Sequence, residues 1–377
     1  MVKKIVKHFR HLIGSHCESS SMRDIIEYLG ISMSESMIFG LDATMGFIFI
    51  DNSEKFNPDA TFNMNLPFFV GGKQGTITDN SLGCRILGLS IKKETFKSPD
   101  EAWISSKKLI DQNIPLILLV DMGLLSYFKW EEEFHFGMHS VVLCGYDELK
   151  EVAYLCDNNF KEIIEVPLEE LKKARNSKYG SKYMHPNNIQ FIIKKRADGK
   201  KPPFPVAVKL ALRQVSNNIR AASINSQGLT GMKLFAKSIP NWNNILKGNI
   251  TYLGKSVSKA FITLENLYGF IEEYGTGGGL FRNLYAQFLK DLPEHSEIVN
   301  GQNAWNNREI IFLNEAFEMI RESGDLWSSF AQEIKYAIEK DKENCLNSIN
   351  FKKLEEIINE IIPLEEDAFK NLKQIKI

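Results

Sequence analysis

The chain has 377 residues, of which 44% are hydrophobic and 25% are charged, and its formal net charge is -1 at pH 7. This balance is typical of a globular protein and argues against a general nucleic-acid binder or a polybasic membrane protein. The longest apolar run, residues 114–120, is too short to cross a bilayer, and no signal-peptide core follows the basic N-terminus. We therefore expect a cytoplasmic protein with neither nucleic-acid nor membrane partners.

Helix signals dominate the first forty residues. A helix is predicted to begin at Cys17 and to end at Gly30. Ser32 and Glu35 have the spacing of a capping box, which predicts a second, short helix that ends near Gly40.

The next segments alternate between helix and strand. Residues 98–113 predict a helix because Ser-Pro-Asp-Glu supplies a cap, a proline at the first helical position and a glutamate three residues after the cap. Residues 114–120 form a continuous apolar run of buried-strand length. Residues 139–146 and 151–160 then predict two strands joined by a polar turn at 147–150.

The register of this hairpin has a chemical consequence. If Tyr146 pairs with Lys150, His139 lies opposite Asp157. Directly opposed residues have Cβ atoms roughly 4.5–5.5 Å apart, so this pairing would bring the carboxylate to the imidazole. A slip by one residue would place Asp157 on the other face.

The composition changes after residue 193. Residues 194–203 are polar, basic and end in two prolines, as is typical of a linker, and helical periodicity prevails from there on. The last segment, 351–375, predicts a pair of helices separated by Pro363. We expect an α+β chain with one domain at 1–200 and an all-α domain at 201–377.

The cysteines lack the spacing of a disulfide framework or a zinc site. The chain has five of them: Cys17, Cys84, Cys144, Cys156 and Cys345. An odd and unpaired set is typical of a reducing compartment, and no metal site is expected.

Cys17 differs from the other four because its neighbours are polar and it begins a helix. Backbone N–H groups and the helix dipole favour the thiolate there, and the thiolate is the form that attacks acyl carbons. His139 opens an apolar strand and is the predicted base, with His135 and His185 as rivals. A small buried hydrophobe is the alternative interpretation of Cys17.

Asp157 is the predicted partner that orients His139. Asp121, Asp147 and Asn158 are the competing candidates, and Asp121 could instead bind a turn amide. The order Cys, His, Asp along the chain is that of a papain-like acyl-transfer site.

An oxyanion site needs N–H donors aimed at the developing charge. The backbone N–H of Cys17 is the natural first donor. Papain-like enzymes often place a glutamine six residues before the cysteine, but here that position is His11, with Ser15 and His16 also nearby. This departure weakens the interpretation as a peptidase.

Several short runs together resemble the butirosin side-chain acyltransferase family. They are residues 16–23, 34–41, 120–122, Tyr127, 135–139 and 145–147 in the first half, and 271–272, 275–279, 281–282, Tyr285 and 288–289 in the helical half. The resemblance covers nearly the whole chain. It implies a papain-like cysteine protease-type N-terminal domain, used for amide synthesis instead of proteolysis, with an all-α C-terminal domain.

The resemblance also implies a reaction. An acyl group on the phosphopantetheine of an acyl or peptidyl carrier protein would pass to Cys17, and a small amine would then attack. His139 would act as base and then acid, Asp157 would orient it, and no cofactor would be bound. A papain-like amide synthetase of closthioamide-type polythioamide assembly is related in kind and is a candidate for the product.

The helical half would then cover the acceptor. Its glycine-rich segment, 272–282, lacks the strand and lysine of a nucleotide-binding loop. We expect Glu272, Tyr274, Thr276 and Arg282 to line or support the acceptor pocket. A helix-packing motif is the alternative.

Basic residues could meet an acidic carrier protein, although a solvated surface explains any one of them. They are Lys3, Lys4, Lys7, Lys92, Lys93 and the linker. A cysteine peptidase or amide hydrolase would use the same three residues. A scaffold with a degenerate site would leave Cys17 unreactive.

Overall fold

The computed structural model describes residues 2–53, 66–129, 135–180, 182–252 and 255–376. The chain divides into two compact units at Lys201, and described residues 39–53 and 66–76 belong with the second unit. Up to residue 201 the elements are β1 (Lys3–Ile5), α1 (Cys17–Tyr28), α2 (Glu35–Asp42), β2 (Met45–Asp51), β3 (Phe68–Lys73), α3 (Leu82–Ile86), β4 (Leu89–Glu94), α4 (Pro99–Asp111), β5 (Leu116–Val120), β6 (His139–Asp147), β7 (Val152–Cys156), β8 (Ile164–Pro167), α5 (Leu168–Arg175) and β9 (Gln190–Lys195).

The first unit is built on an antiparallel sheet with the strand order β4-β9-β5-β6-β7-β8, and β1 also pairs with β6. Every residue of β5 and β6 is buried, because α1 on the one hand and α4 and α5 on the other pack against these strands. Such continuous apolar strands are expected where both faces of a sheet are covered. The chain is therefore an α+β protein, as predicted.

The residues of the candidate site lie at one end of this sheet, where β5 ends and β6 begins. His139, the first residue of β6, pairs with Val120, the last residue of β5. We call this end of the sheet the His139 edge. It also holds the start of β9, since Gln190 pairs with Leu118, and the end of β4, since Glu94 pairs with Gln190.

The helix predicted at 98–113 is confirmed as α4, whose cap Ser98 accepts from the N–H of Glu101. The predicted cap of α2 is wrong, because Ser34 and not Ser32 accepts from the backbone N–H of Met37. Glu35 does not close a capping box there, since its carboxylate binds a different segment.

The predicted hairpin register is also wrong. Tyr146 pairs with Ala153 instead of Lys150, and β7 ends at Cys156. The turn is longer than expected because Glu151 adopts a left-handed φ of 54°. Asp147 closes this turn by accepting from the backbone N–H groups of Leu149 and Lys150.

The second unit is mostly helical. Its elements beyond residue 201 are α6 (Phe204–Arg220), α7 (Gly228–Ser238), α8 (Trp242–Ile245), β10 (Asn249–Tyr252), β11 (Lys255–Ser258), α9 (Lys259–Glu272), α10 (Arg282–Asp291), α11 (Ser296–Val299), α12 (Asn307–Lys340) and α13 (Phe351–Gln374). Two antiparallel hairpins, β2–β3 and β10–β11, accompany these helices.

The predicted break at Pro363 does not occur, because α13 is one helix with this proline inside it. An internal proline costs about 3 kcal/mol. Leu354 and Ile358 before it and Phe369 after it are all fully buried, and α13 packs along α12. Burial of such side chains stabilises a helix by roughly 1.5–3 kcal/mol each, which outweighs the proline. In the described part of the chain, no helix is long and apolar enough to cross a membrane.

Candidate active site

Cys17 is the first residue of α1, and polar contacts fix the chain on either side of it. The ring of His16 caps the helix by accepting from the N–H of Ser19. The carboxylate of Glu35 accepts from the backbone N–H groups of Ser15 and His16, at 2.9 and 2.8 Å. Cys17 is partly exposed, whereas the other four cysteines are buried. It is thus the one free thiol of the described chain that meets solvent.

His139 and Asp157 meet although the predicted register is wrong. The distance from His139 Nε2 to Asp157 Oδ2 is 2.7 Å, and both side chains are buried. Val142 pairs with Cys156, so the continued register places Asp157 opposite Val141, two residues from His139 on the same face. Such diagonal neighbours remain within reach of long side chains.

The charges of this pair reinforce each other. Burial lowers the pKa of His139, but the charge and hydrogen bond of Asp157 and a hydrogen bond with Cys17 outweigh it and raise that pKa to about 10. Burial raises the pKa of Asp157, but the positive charge and hydrogen bond of His139 outweigh it and lower that pKa. At neutral pH the pair is therefore an imidazolium and a carboxylate.

Two further donors saturate Asp157. Tyr127 donates its hydroxyl to Oδ2 at 2.8 Å, and the N–H of Asn159 donates to Oδ1 at 3.1 Å. Burial and the Asp157 charge raise the pKa of Tyr127, so the phenol remains a donor. The sequence analysis gave Tyr127 no role in the site. Only its presence among the residues that carry the family resemblance could have indicated such a role.

Aromatic rings surround this pair. Phe128 lies edge-on to His139 at 5.8 Å between ring centroids, and Phe160 lies edge-on to Tyr127 at 5.2 Å. These rings exclude water from one side of the imidazole, which strengthens its interaction with the carboxylate.

His11 forms hydrogen bonds with two segments of the candidate site, α1 and the residues that follow β7. Its Nδ1 is 2.6 Å from Asp24 Oδ2, and its Nε2 is 2.8 Å from the carbonyl oxygen of Phe160 and 3.1 Å from that of Asp157. Burial lowers its pKa, but the hydrogen bond to Asp24 dominates the opposing effects, and the pKa is raised to about 9. Both ring nitrogens therefore donate, and neither is left for the oxyanion that the sequence suggested.

Arg23 ties the chain before Cys17 to α1. Its guanidinium donates to Asp24 Oδ1 and to the carbonyl oxygens of Leu12 and Ile13. Gly14 passes so close to α1 that a Cβ on it would lie 2.3 Å from the Cβ of Ser20. The segment that leads to the thiol is thus fixed by ion pairs and by close packing.

Asp121 lies outside the His139 contacts. It accepts from the backbone N–H groups of Gly123 and Phe136, from the hydroxyl of Ser177 and from His135 Nδ1. The ring of His135 stacks on Tyr179 at 3.6 Å. Asp121 therefore organises the loops beside the site, which is the turn-amide alternative considered for it.

The four residues of the glycine-rich segment are described within the second unit. Arg282 is fully buried in a bidentate ion pair with Glu365, and Thr276 donates to the carbonyl oxygen of Ile271. Glu272 accepts from the N–H of Gly279 and from the hydroxyl of Ser328. Tyr274 is 51% exposed. Three of these four side chains thus bind other groups of the protein, which is what the helix-packing alternative predicts.

Chemically, the first unit combines a partly exposed cysteine at a helix start with a buried imidazolium that is hydrogen-bonded to a carboxylate and whose pKa is raised in part by that cysteine. These are the residue types that a nucleophile, a base and an orienting group require. Within the described ranges, no three His, Cys, Asp or Glu side chains are grouped so that they could hold a metal ion.

Two family models match the chain. Residues 16–158 match the model described as butirosin biosynthesis protein H, N-terminal. This range contains Cys17, His139 and Asp157. Residues 169–372 match a domain of unknown function, DUF4872. A search of curated proteins found no match. The second match covers more than half of the chain and places the chain in the DUF4872 family, while residues 16–158 are similar to the N-terminal part of butirosin biosynthesis protein H.

Proposed function

We propose that this protein is an amide-forming acyltransferase that takes an acyl group from a carrier-protein thioester onto Cys17 and delivers it to an amine. The match of residues 16–158 to butirosin biosynthesis protein H supports the coarser part, a biosynthetic enzyme of the acyltransferase type. The observation that carries the finer part is the buried His139–Asp157 pair, joined at 2.7 Å, together with the partly exposed Cys17, which contributes to the raised pKa of His139.

The first half-reaction consumes the thiolate–imidazolium pair. Cys17 Sγ adds to the thioester carbonyl, the bond from that carbon to the phosphopantetheine sulfur breaks, and His139 gives its proton to the departing thiolate. The products are an acyl-enzyme, a neutral His139 and a free carrier thiol. Asp157 keeps the imidazole oriented throughout.

The second half-reaction restores the pair. The amine adds to the acyl carbon while neutral His139 takes its proton, and collapse of the tetrahedral intermediate expels the Cys17 thiolate and releases the amide. Exchange between two thioesters is nearly isoenergetic, and aminolysis of a thioester is downhill. The proposed reaction therefore needs no bound cofactor.

The negative charge of each tetrahedral intermediate needs donors. The proposed first donor is the backbone N–H of Cys17 at the positive end of α1. The proposed second donor is His16, whose Nδ1 accepts from Ser19 and which therefore carries its proton on Nε2. His11 is not proposed, because both of its nitrogens already donate elsewhere.

The acceptor side is less defined. We keep Tyr274, the half-exposed member of the glycine-rich segment, as a proposed acceptor contact, with Glu272, Thr276 and Arg282 as its supports. A closthioamide-type product remains a prediction.

The test is intact-protein mass spectrometry after mixing the enzyme with acyl thioesters of N-acetylcysteamine and of holo carrier proteins. We expect an acyl adduct on the wild type that an added primary amine discharges faster than water does. Cys17→Ala should give no adduct, whereas the matched variant Cys345→Ala, which removes a buried cysteine, should give the wild-type adduct.

Two other outcomes would overturn the proposal. An adduct that water clears as fast as amines would indicate a cysteine hydrolase with the same three residues. No adduct from any thioester, together with an unreactive Cys17, would indicate a scaffold protein.

A further inference from the structure

A cavity of about 380 Å³ opens on the first unit, and its lining contains three lysines and three asparagines but no carboxylate. The lysines are Lys93, Lys97 and Lys178. Among the described residues, none of these three ammonium groups pairs with a carboxylate. The nearby Glu94 is occupied by Lys92, at 2.7 Å, and by Gln190. The cavity therefore has an excess of positive charge that only a ligand or solvent can balance.

The walls of the cavity are fixed by hydrogen bonds. Asn188 donates its backbone N–H to the carbonyl oxygen of Arg175 and its side-chain amide to Asn176. Lys178 donates to Asn187 Oδ1 at 3.1 Å, which holds one ammonium group at the rim. Three ammonium groups around one cavity are suited to an oxyanion such as a phosphate.

The cavity shares the His139 edge. Lys97 follows β4, Asn187 and Asn188 precede β9, and both strand ends lie at this edge. Neighbouring strands are about 4.8 Å apart, so points beside β9 and β4 lie roughly 10–15 Å from His139 on β6. Asp121, next to Val120, donates its N–H to the carbonyl oxygen of Ala174, two residues before Asn176 of the cavity lining.

This distance matches a particular ligand. About 13 bonds separate the phosphorus and sulfur atoms of phosphopantetheine, which at the extended reach of a polypeptide per bond is roughly 15 Å. We infer that the cavity formed by Lys93, Lys97, Lys178 and the adjoining asparagines is a phosphate subsite, which anchors the phosphate of a phosphopantetheine thioester while its sulfur reaches Cys17. The inference rests on the proposed function and adds the site that selects the donor.

A second basic group on the same unit provides a matched control. Lys7 and Lys195 line a different cavity, of about 680 Å³, together with Glu27 and Asn113. This group lies at the opposite edge of the sheet, where β9 ends and β5 begins, so it is beyond reach of the same ligand.

The test is calorimetric binding to the Cys17→Ala protein, which needs no acyl group. We expect 4′-phosphopantetheine to bind at least about tenfold more tightly than pantetheine, and inorganic phosphate to compete. The double variant Lys97→Glu/Lys178→Glu should lose this preference, whereas Lys7→Glu/Lys195→Glu should retain it. Coenzyme A binding as tightly as phosphopantetheine would support the subsite and make the free coenzyme a donor source, whereas preference for a holo carrier protein would support it with a carrier as the source.

The subsite would be overturned if phosphopantetheine and pantetheine bound with equal affinity or if neither bound measurably. It would also be overturned if the preference for phosphopantetheine fell equally in Lys97→Glu/Lys178→Glu and Lys7→Glu/Lys195→Glu. Acylation of Cys17 by simple thioesters would survive that result, so the proposed function would stand. Conversely, tight binding of phosphopantetheine without any acyl-enzyme would leave the subsite and remove the acyltransferase.

Discussion

Two buried ion pairs of this protein, one in each unit, are built differently. In the first unit His139 meets Asp157 through a single contact of 2.7 Å, beside a thiol that reaches solvent. In the second unit Arg282 meets Glu365 through two parallel contacts of 2.8 and 3.0 Å, and both residues are fully buried. The first pair has a cation that can give up its proton, and the second has one that cannot.

The surroundings follow the same contrast. Two further donors of Arg282 go to the carbonyl oxygens of Gly46 and Leu280, and Ser323 donates to Glu365, so four of the five guanidinium N–H groups and both carboxylate oxygens have partners. His139 instead keeps one side directed at a reactive group. The Arg282–Glu365 pair, with its many contacts, joins chain segments. The His139–Asp157 pair, with a single contact between its members, keeps a proton that can be transferred.

The largest expected effect is on catalysis. His139→Gln should slow acylation by about 10²–10⁴-fold, because it removes the proton donor of the first half-reaction. The rate of adduct formation by rapid-quench mass spectrometry measures this, with His8→Gln, at an exposed position, as the matched control. Wild-type acylation by His139→Gln would remove His139 from the mechanism.

The next effect is on stability. Arg282→Met should lower the free energy of unfolding by about 3–5 kcal/mol, because it leaves the Glu365 carboxylate buried and unpaired. Chemical denaturation measures this change, and the double variant Arg282→Met/Glu365→Met should recover part of it. A single variant as stable as the wild type would mean that the pair does not join its segments.

A smaller effect is expected at the hydroxyl that supports Asp157. Tyr127→Phe removes one hydrogen bond from a buried carboxylate, which costs about 1–3 kcal/mol, and should slow acylation by roughly tenfold with the fold intact. Steady-state kinetics and circular dichroism report these two properties. Tyr336→Phe, at an exposed position, should behave as wild type; equal rates in both variants would show that Tyr127 is dispensable.

The last expected effect is on pH dependence. The pKa values of His139 and His11 are raised from 6.5 to about 10 and about 9, so the stability they contribute is complete below pH 6.5 and is lost as the pH rises through these values. Unfolding free energies from pH 6 to 10 should fall less steeply in His11→Asn than in the wild type. Identical slopes would contradict an imidazolium at position 11.

The sequence predicted those features of the candidate site that depend on local signals. Polar neighbours and a helix start singled out Cys17, and the opening of an apolar strand singled out His139. The reach to Asp157 was predicted from a wrong register, because a positive φ at Glu151 adds residues to a turn and no local pattern announces it. The contact survives since a shift of two residues preserves the face of the strand.

Contacts between distant segments could not be predicted from local patterns in the sequence. The bonds of His11 to Asp24, Asp157 and Phe160 join positions up to 149 residues apart, and the hydroxyl of Tyr127 reaches Asp157 across 30. Pro363 likewise fails as a breaker only because apolar residues on both sides pack against another helix. Such features depend on tertiary packing, which overrides local propensity.

The position of His139 at the first residue of β6 has a consequence for how such an enzyme could change its substrates. The proposed base is carried by a strand whose nine residues are all buried and which pairs with β1, β5 and β7, so its backbone should exchange amide hydrogen slowly and tolerate few replacements. The proposed nucleophile, Cys17, likewise begins a helix that packs on this strand. New acceptors and donors must therefore be accommodated by the loops that leave the His139 edge, where insertions leave the reacting atoms in place.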